Sequence, residues 1–149
     1  MPLRKLSLLG ARISDIGRLT GLPLQELNLS GTDVRDLTPL RGMPLEMLSL
    51  GYHSDSRPMK VSDISPLRDL PLKRLTLDGT QVTDLSPLAD CKQLEKLVLP
   101  AHLKGKDLEV LRRHPSLQYL SWGWPGGWDK LTPAAEFWKE YDATKAKAP

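Results

Sequence analysis

Any chemistry in this chain would have to come from a short set of residues. The single cysteine, Cys91, excludes a disulfide framework within one chain. As a nucleophile it would need an exposed, electropositive setting with a His or Asp nearby, and its neighbours Asp90, Lys92 and Gln93 do not make one. It falls where Leu22, Met43 and Leu70 fall in other stretches of the chain, so it reads as a small core hydrophobe. The histidines, His53, His102 and His114, have no metal-ligand spacing and read as surface or turn residues. A more suggestive set is the recurring Asp15, Asp36, Asp63 and Asp84, because stacked carboxylates can bind calcium. Like charges about 5 Å apart repel by about 1 kcal/mol even in water, so something must compensate them. Calcium takes about six to eight oxygens, and the chain has no glycine-rich calcium loop. Each Asp is therefore expected to cap backbone N–H groups of its own short helix, where the helix dipole also favours negative charge. No catalytic residue, no metal and no cofactor is assigned.

The elements that must position these residues are written as a repeat. The phrase PLxxLxLxGTxVxDLxPL is clearest at Pro23–Leu40 and Pro71–Leu88. Equivalent leucines begin at Leu3, Leu24, Leu45, Leu72, Leu94 and Leu117, giving spacings of 21, 21, 27, 22 and 23 residues. A period in that range with LxxLxL inside it predicts an α/β solenoid of leucine-rich repeats. Leu27 and Leu29, Leu48 and Leu50, Leu75 and Leu77, and Leu97 and Leu99 alternate with mostly polar residues, the period-two pattern of a short strand with one buried face. One coil cannot cover its own apolar face, so the coils stack and their short strands pair in parallel on the concave side.

The turns are also written in the sequence. Gly31-Thr32 and Gly79-Thr80 follow the strands, where a hydroxyl can satisfy turn backbone groups and Gly supplies a permissive dihedral. Thr38-Pro39, Ser65-Pro66 and Ser86-Pro87 read as a hydroxyl N-cap followed by Pro at the first helical position. The units are too short for long helices, so one-turn or 3-10 pieces are expected on the convex side, with a fuller α-turn over Asp107–Leu111. Pro23, Pro44 and Pro71 hold the chain extended as it re-enters each strand.

The runs DLTPL (Asp36–Leu40), DISPL (Asp63–Leu67) and DLSPL (Asp84–Leu88) resemble the internalin-type repeats of bacteria. The wording GTxVxDLxPLxxMPL and the ending AAEFWKEYDA (Ala134–Ala143) are more similar to repeat regions that follow serine/threonine kinase domains in large planctomycete proteins. That resemblance implies a leucine-rich repeat fold and a place in a larger signalling or scaffold protein. The chain itself has no HRD, no DFG and no glycine-rich phosphate loop, so kinase activity would belong to another segment.

Composition bounds the rest. With 149 residues, 40% hydrophobic content and a mean hydropathy of −0.33, the chain can form one small domain and has no apolar run long enough to insert in a membrane. Met1-Pro2-Leu3 enters the first repeat without a secretory signal, so a cytoplasmic location is expected. Nothing precedes Leu3 to cover the first coil, which suggests the C-terminal piece of something longer; otherwise that coil is left exposed or pairs with another copy. A net charge of +3 with scattered Lys and Arg, apart from Arg112-Arg113 and the Lys139–Lys147 tail, points away from a nucleic-acid partner.

Seven of the eight aromatic residues, including all four tryptophans, lie between Tyr119 and Tyr141. The sequence thus divides into repeats over residues 1–122 and an aromatic-rich segment with a basic tail over 123–149. The second part is read as a cap that ends the apolar column, against the alternative that exposed Trp planes stack on sugars or bases. The third unit spans 27 residues against 21 and 22 in its neighbours, with an insertion over 52–60. It reads as a surface loop or as part of a recognition site offering Tyr52, His53 and Arg57.

The outward strand residues define the concave face: Lys5, Glu26, Met47, Arg74, Lys96 and Tyr119 in one row, and Ser7, Asn28, Ser49, Thr76, Val98 and Ser121 in the next. Six strands at about 4.8 Å make a strip about 25 Å tall, expected to be a shallow groove without a pocket. No base, nucleophile and metal set converges on it, so an enzyme is not expected. A protein or peptide is the expected partner, contacting Lys5, Glu26, Asn28, Met47, Ser49, Arg74, Thr76, Lys96 and Tyr119. The other reading is a structural or regulatory extension that packs on an adjoining domain of the same chain.

Overall fold

A computed structural model describes residues 2–51 and 58–147. Six short parallel strands follow the repeat: β1 (Lys5–Ser7), β2 (Glu26–Asn28), β3 (Met47–Ser49), β4 (Arg74–Thr76), β5 (Lys96–Leu99) and β6 (Tyr119–Trp122). They stand side by side in sequence order, each pairing with the next. The register follows the repeat, so that Leu27, Leu48, Leu75, Leu97 and Leu120 form one fully buried inward column. A second buried column, Leu29, Leu50, Leu77 and Leu99, lies two residues further along each coil. The chain is a leucine-rich repeat solenoid with its sheet on the concave side.

The return path of each coil is a 3-10 turn, at Gly17–Leu19, Thr38–Leu40, Ser65–Leu67, Ser86–Asp90 and Ala101–Leu103, with a single α-turn, α1 (Glu109–Arg112), in the fifth unit. At the bend after the strand, Thr32 Oγ1 donates to the Leu29 carbonyl at 2.8 Å, and Thr80 Oγ1 donates to the Leu77 carbonyl at 2.6 Å. Gly31 and Gly79 precede them with φ of 72° and 77°, the left-handed region where a side chain would be strained.

The helix starts differ from the expected hydroxyl caps. Thr38, Ser65 and Ser86 are the first residues of their 3-10 turns, and Leu37, Ile64 and Leu85 before them offer no side-chain cap. The aspartate two residues upstream supplies it. Asp36, Asp63 and Asp84 accept the N–H groups of Thr38, Ser65 and Ser86 at 2.9, 2.8 and 2.9 Å, and Asp15 accepts that of Gly17 at 2.7 Å. A carboxylate is the stronger acceptor, which leaves the hydroxyl free to donate as well. These bonds hold the Asp36 carboxyl below its ordinary range, through the Thr38 hydroxyl and then the Thr38 N–H. Asp63 is lowered by the Ser65 N–H and then the Ser65 hydroxyl, and Asp84 by the Ser86 hydroxyl and then the Ser86 N–H.

Three chemically suggestive side chains, Cys91 in the core and the histidines His114 and His102 outside it, make structural contacts. Cys91 is fully buried, its Sγ 3.1 Å from the Leu67 carbonyl, and burial pushes its thiol up to about 11. His114 bridges coils through Nε2, which lies 3.0 Å from the Leu88 carbonyl and 2.9 Å from the Cys91 carbonyl. His102 Nε2 likewise lies 2.6 Å from the Val82 carbonyl of the preceding coil.

Beyond β6 the parallel ladder ends. The short β7 (Thr132–Pro133) pairs with β6 in the antiparallel sense, and α2 (Ala134–Lys147) follows it. Ala134, Phe137, Trp138 and Tyr141 recur at helical spacing and face the core, with Phe137 and Tyr141 buried. Their rings run in a chain: Trp122 to Phe137 at 5.5 Å, Phe137 to Trp138 at 5.1 Å, and Trp138 to Tyr141 at 5.5 Å. The Tyr141 hydroxyl donates to the Lys106 carbonyl at 2.7 Å and accepts the Leu108 N–H at 3.2 Å, tying α2 to the fifth unit. No helix among the described residues is long and apolar enough to cross a membrane.

Candidate functional site

The outward residues of the strands fall into register as two rows on the concave face. In the first, Lys5, Glu26, Met47, Arg74, Lys96 and Tyr119 are stacked neighbour to neighbour. Glu26 stands between two cations, 3.3 Å from Lys5 Nζ and 3.9 Å from the Arg74 guanidinium. These exposed pairs add little stability, but they fix where charge lies on the strip. Lys96 Nζ sits 5.4 Å from the Tyr119 ring centroid, and Tyr119 is one of the exposed large hydrophobic side chains.

The second row departs from the shallow, mostly polar groove expected of it. Thr76 is only 4% exposed and Val98 is fully buried, although both point outward from the sheet. The cause is the segment after β6, which folds over the C-terminal half of the strip instead of only closing the end of the column. Lys96 Nζ donates to the Trp128 carbonyl at 3.3 Å, and the Arg74 guanidinium lies 5.6 Å from the Trp128 ring centroid. The aromatic residues thus divide between two tasks. Trp122, Phe137, Trp138 and Tyr141 pack with the core, whereas Trp124 and Trp128 meet edge to face at 5.1 Å and 81° over the strip.

Between this Trp pair and the strands lies a cavity of about 280 Å³, lined by Asn28, Met47, Ser49, Gly51, Thr76, Asp78, Trp124 and Trp128. The strip therefore has a pocket where a groove without one was expected. Asn28, Met47, Ser49 and Thr76 were expected on the binding face and come together here. Lys5, Glu26 and Tyr119 lie on the same strip outside the cavity, and Arg74 and Lys96 hold Trp128 against it. Tyr52, His53 and Arg57, expected as loop contacts, lie outside the described residues. Met59, which follows them in the insertion, is fully buried in the core.

Trp124 and Trp128 were read as part of the cap, with stacking on a ligand as the alternative, whereas Gly51 and Asp78 were missed by sequence reasoning. The first two were visible as a cluster, but the alternation of Gly and Pro in Trp122–Trp128 gives no direction to each ring. Gly51 is a tight point: a Cβ there would collide with the Asp78 carboxylate and come within 3.1 Å of Thr76 Oγ1. Its signal was the absence of a side chain at a position filled by Ser30 and Asp78 in neighbouring units.

A larger hollow of about 560 Å³ lies elsewhere, between Thr83–Ser86 and His102–Val110. Its Asp84 and Asp107 each accept a backbone N–H of their own turn. Among the described residues no three His, Cys, Asp or Glu side chains come together in a way that could hold a metal ion.

Stacked coils of 21 to 27 residues, with a parallel sheet and 3-10 returns, define a leucine-rich repeat solenoid of short repeats. Its fold is internalin-like: the chain is similar to the crystal structure of internalin C2 from Listeria monocytogenes str. 4b F2365, with 27% identity and a TM-score of 0.51. The match covers 78% of this chain and spans 59% of the length of internalin C2. No protein-family model matches the sequence, and no curated protein matches it.

Proposed function

We propose that the chain is a non-enzymatic protein-binding module whose concave strip receives a protein or peptide. The observation that carries this reading is the strip itself, a row of outward side chains in register that leads into a cavity walled by Trp124 and Trp128. Lys5, Glu26, Asn28, Met47, Ser49, Arg74, Thr76, Lys96 and Tyr119 form the contact surface, Thr76 from the cavity floor. Arg and aromatic anchors usually dominate interface energy, so Arg74 and Tyr119 carry most of the binding. Residues 123–149 act as the C-terminal cap of the column, supported by the burial of Phe137 and Tyr141. The module serves a larger bacterial signalling or scaffold protein of the kind in which such repeats follow a serine/threonine kinase domain, and it works in the cytoplasm. That context is supported by the wording of the repeat and of the tail.

A second reading, an extension that packs on an adjoining domain, is favoured by one observation. Leu3 and Leu9 of the first coil are 49% and 51% exposed, an apolar surface that such packing would cover. The two readings part under one experiment. Wild-type protein and an Arg74→Glu, Tyr119→Ala double variant are used to capture partners from source-cell lysate, with thermal melts as control. Loss of one partner from an equally stable variant supports the strip. Identical partner lists refute it and move attention to the first coil.

A further inference from the structure

We propose that the concave strip recognises an acidic side chain of the bound protein, its carboxylate seated between Arg74 and Lys96; this deepens the protein-binding reading and rests on it. The first row of the strip carries an unmatched charge. Lys5, Arg74 and Lys96 are its cations, and Glu26 is its one carboxylate. Glu26 is shared, 3.3 Å from Lys5 Nζ and 3.9 Å from the Arg74 guanidinium, and no carboxylate among the described residues pairs with Lys96. Arg74 and Lys96 are partners in the β4–β5 register, and like charges set opposite each other on neighbouring strands cost stability. An anion between them removes that repulsion.

The contacts that the two cations make within the chain orient them without neutralising them. Lys96 Nζ donates to the Trp128 carbonyl at 3.3 Å and lies 5.4 Å from the Tyr119 ring centroid. An ammonium has three donors, so Lys96 keeps others to offer. The Arg74 guanidinium lies 5.6 Å from the Trp128 ring centroid. A carbonyl and two rings are uncharged partners: they restrict both side chains before a ligand arrives and leave the positive charge in place. Both residues are part-buried, so solvent and salt screen them less than they screen fully exposed cations. Met47 and Tyr119 flank the pair in register, which places apolar neighbours beside the acidic residue. A carboxylate suits the seat better than a phosphate, because Glu26 stands beside Arg74 and a dianion would meet twice the repulsion.

The test uses the intact chain and blocked short peptides whose central residue, set between two leucines, is Glu, its neutral isostere Gln, Lys or phosphoserine. Binding is followed by NMR through the Trp128 indole N–H, beside both cations. The Glu peptide should bind saturably and at least about threefold more tightly than the Gln peptide, and this margin should shrink as salt rises from about 50 mM to about 500 mM. Lys96→Gln should bring the Glu and Gln peptides level, whereas Lys96→Arg should keep the margin. Lys92→Gln, which removes the same charge outside the strands, should leave it unchanged. If Lys96→Gln does not fold, Arg74→Gln replaces it with the same expectation. Equal binding of the Glu and Gln peptides, tighter binding of the Lys or phosphoserine peptide, or no saturable response to Glu overturns the proposal. Its failure is separable from that of the strip. Glu and Gln peptides that bind alike, while the Arg74 and Tyr119 double variant still loses its partner, sink the acidic seat alone. A Glu preference that Lys96→Gln removes, with partner capture unchanged in the double variant, leaves the anion seat standing and sinks the strip as the partner's site.

Discussion

Replacing Leu75 with Ala tests the column at its centre. Leu75 is fully buried in β4, flanked in register by Leu48 and Leu97, which are fully buried as well. The substitution removes three carbon atoms, about 2.4 kcal/mol of lost transfer free energy at about 0.8 kcal/mol per methylene. The hole left behind adds to that loss in proportion to how little the neighbours can relax. Here they relax little, because the coils on either side are pinned by ladder bonds such as Arg74 N–H to the Glu46 carbonyl at 3.1 Å and Lys96 N–H to the Lys73 carbonyl at 3.0 Å. A loss of about 3–4 kcal/mol follows, within the range of about 2–5 kcal/mol for such changes. With a urea m-value of about 2 kcal/mol/M, the midpoint should fall by about 1.5–2 M. Coupling between coils is nearest-neighbour in character, so amide exchange at Leu48 and Leu97 should accelerate together. Leu3→Ala, at a half-exposed site in the first coil, is the control and should cost far less. A loss below about 0.5 kcal/mol at Leu75, the size of an ordinary surface change, would refute the packed column.

Three further outcomes follow from the same geometry. Cys91, buried and with its thiol raised to about 11, should resist thiol reagents at pH 8 until the chain unfolds, so labelling should track denaturant; rapid labelling of the native protein would contradict its burial. Asp36, Asp63 and Asp84 have carboxyls held below the ordinary value of 3.8 in the folded state, so the stability they contribute is present above that value and is lost as pH falls through their lower folded values. Acid melts should therefore show a decline beginning near pH 4, and Asp-to-Asn changes at all three positions should flatten it. Tyr141→Phe removes the acceptor of the buried Leu108 N–H and should cost about 1–3 kcal/mol in thermal or urea melts; an unchanged midpoint would show that α2 is not tied to the fifth unit.

Much of the fold was legible because its signals are local and repeated. The leucines at period two read directly as the buried columns Leu27–Leu120 and Leu29–Leu99, and Gly31-Thr32 and Gly79-Thr80 read as bends closed by a hydroxyl. The aspartate column was assigned to capping, and that is where its carboxylates go. Assigning the caps to Thr38, Ser65 and Ser86 too was wrong, because each is the first residue of its 3-10 turn and its own N–H is taken by the carboxylate two residues upstream, a stronger acceptor than a hydroxyl. The strip was legible residue by residue from alternation alone. Its pocket was not, since it depends on where Trp124 and Trp128 settle after the repeat has ended. Large rings in Trp122–Trp128 suit the end of the column and the concave face equally well. Only the tertiary contacts from Arg74 and Lys96, in β4 and β5, distinguish them.

The most direct test of the binding strip is site-specific cross-linking. A photoreactive benzophenone side chain is placed at Met47 or Tyr119 on the concave face, or at Arg41 beside the convex 3-10 turn Thr38–Leu40, and each protein is irradiated in source-cell lysate. Adducts to the same protein from Met47 and Tyr119, with none from Arg41, are the expected result. Adducts from Arg41 while both concave positions stay silent would contradict a concave binding face.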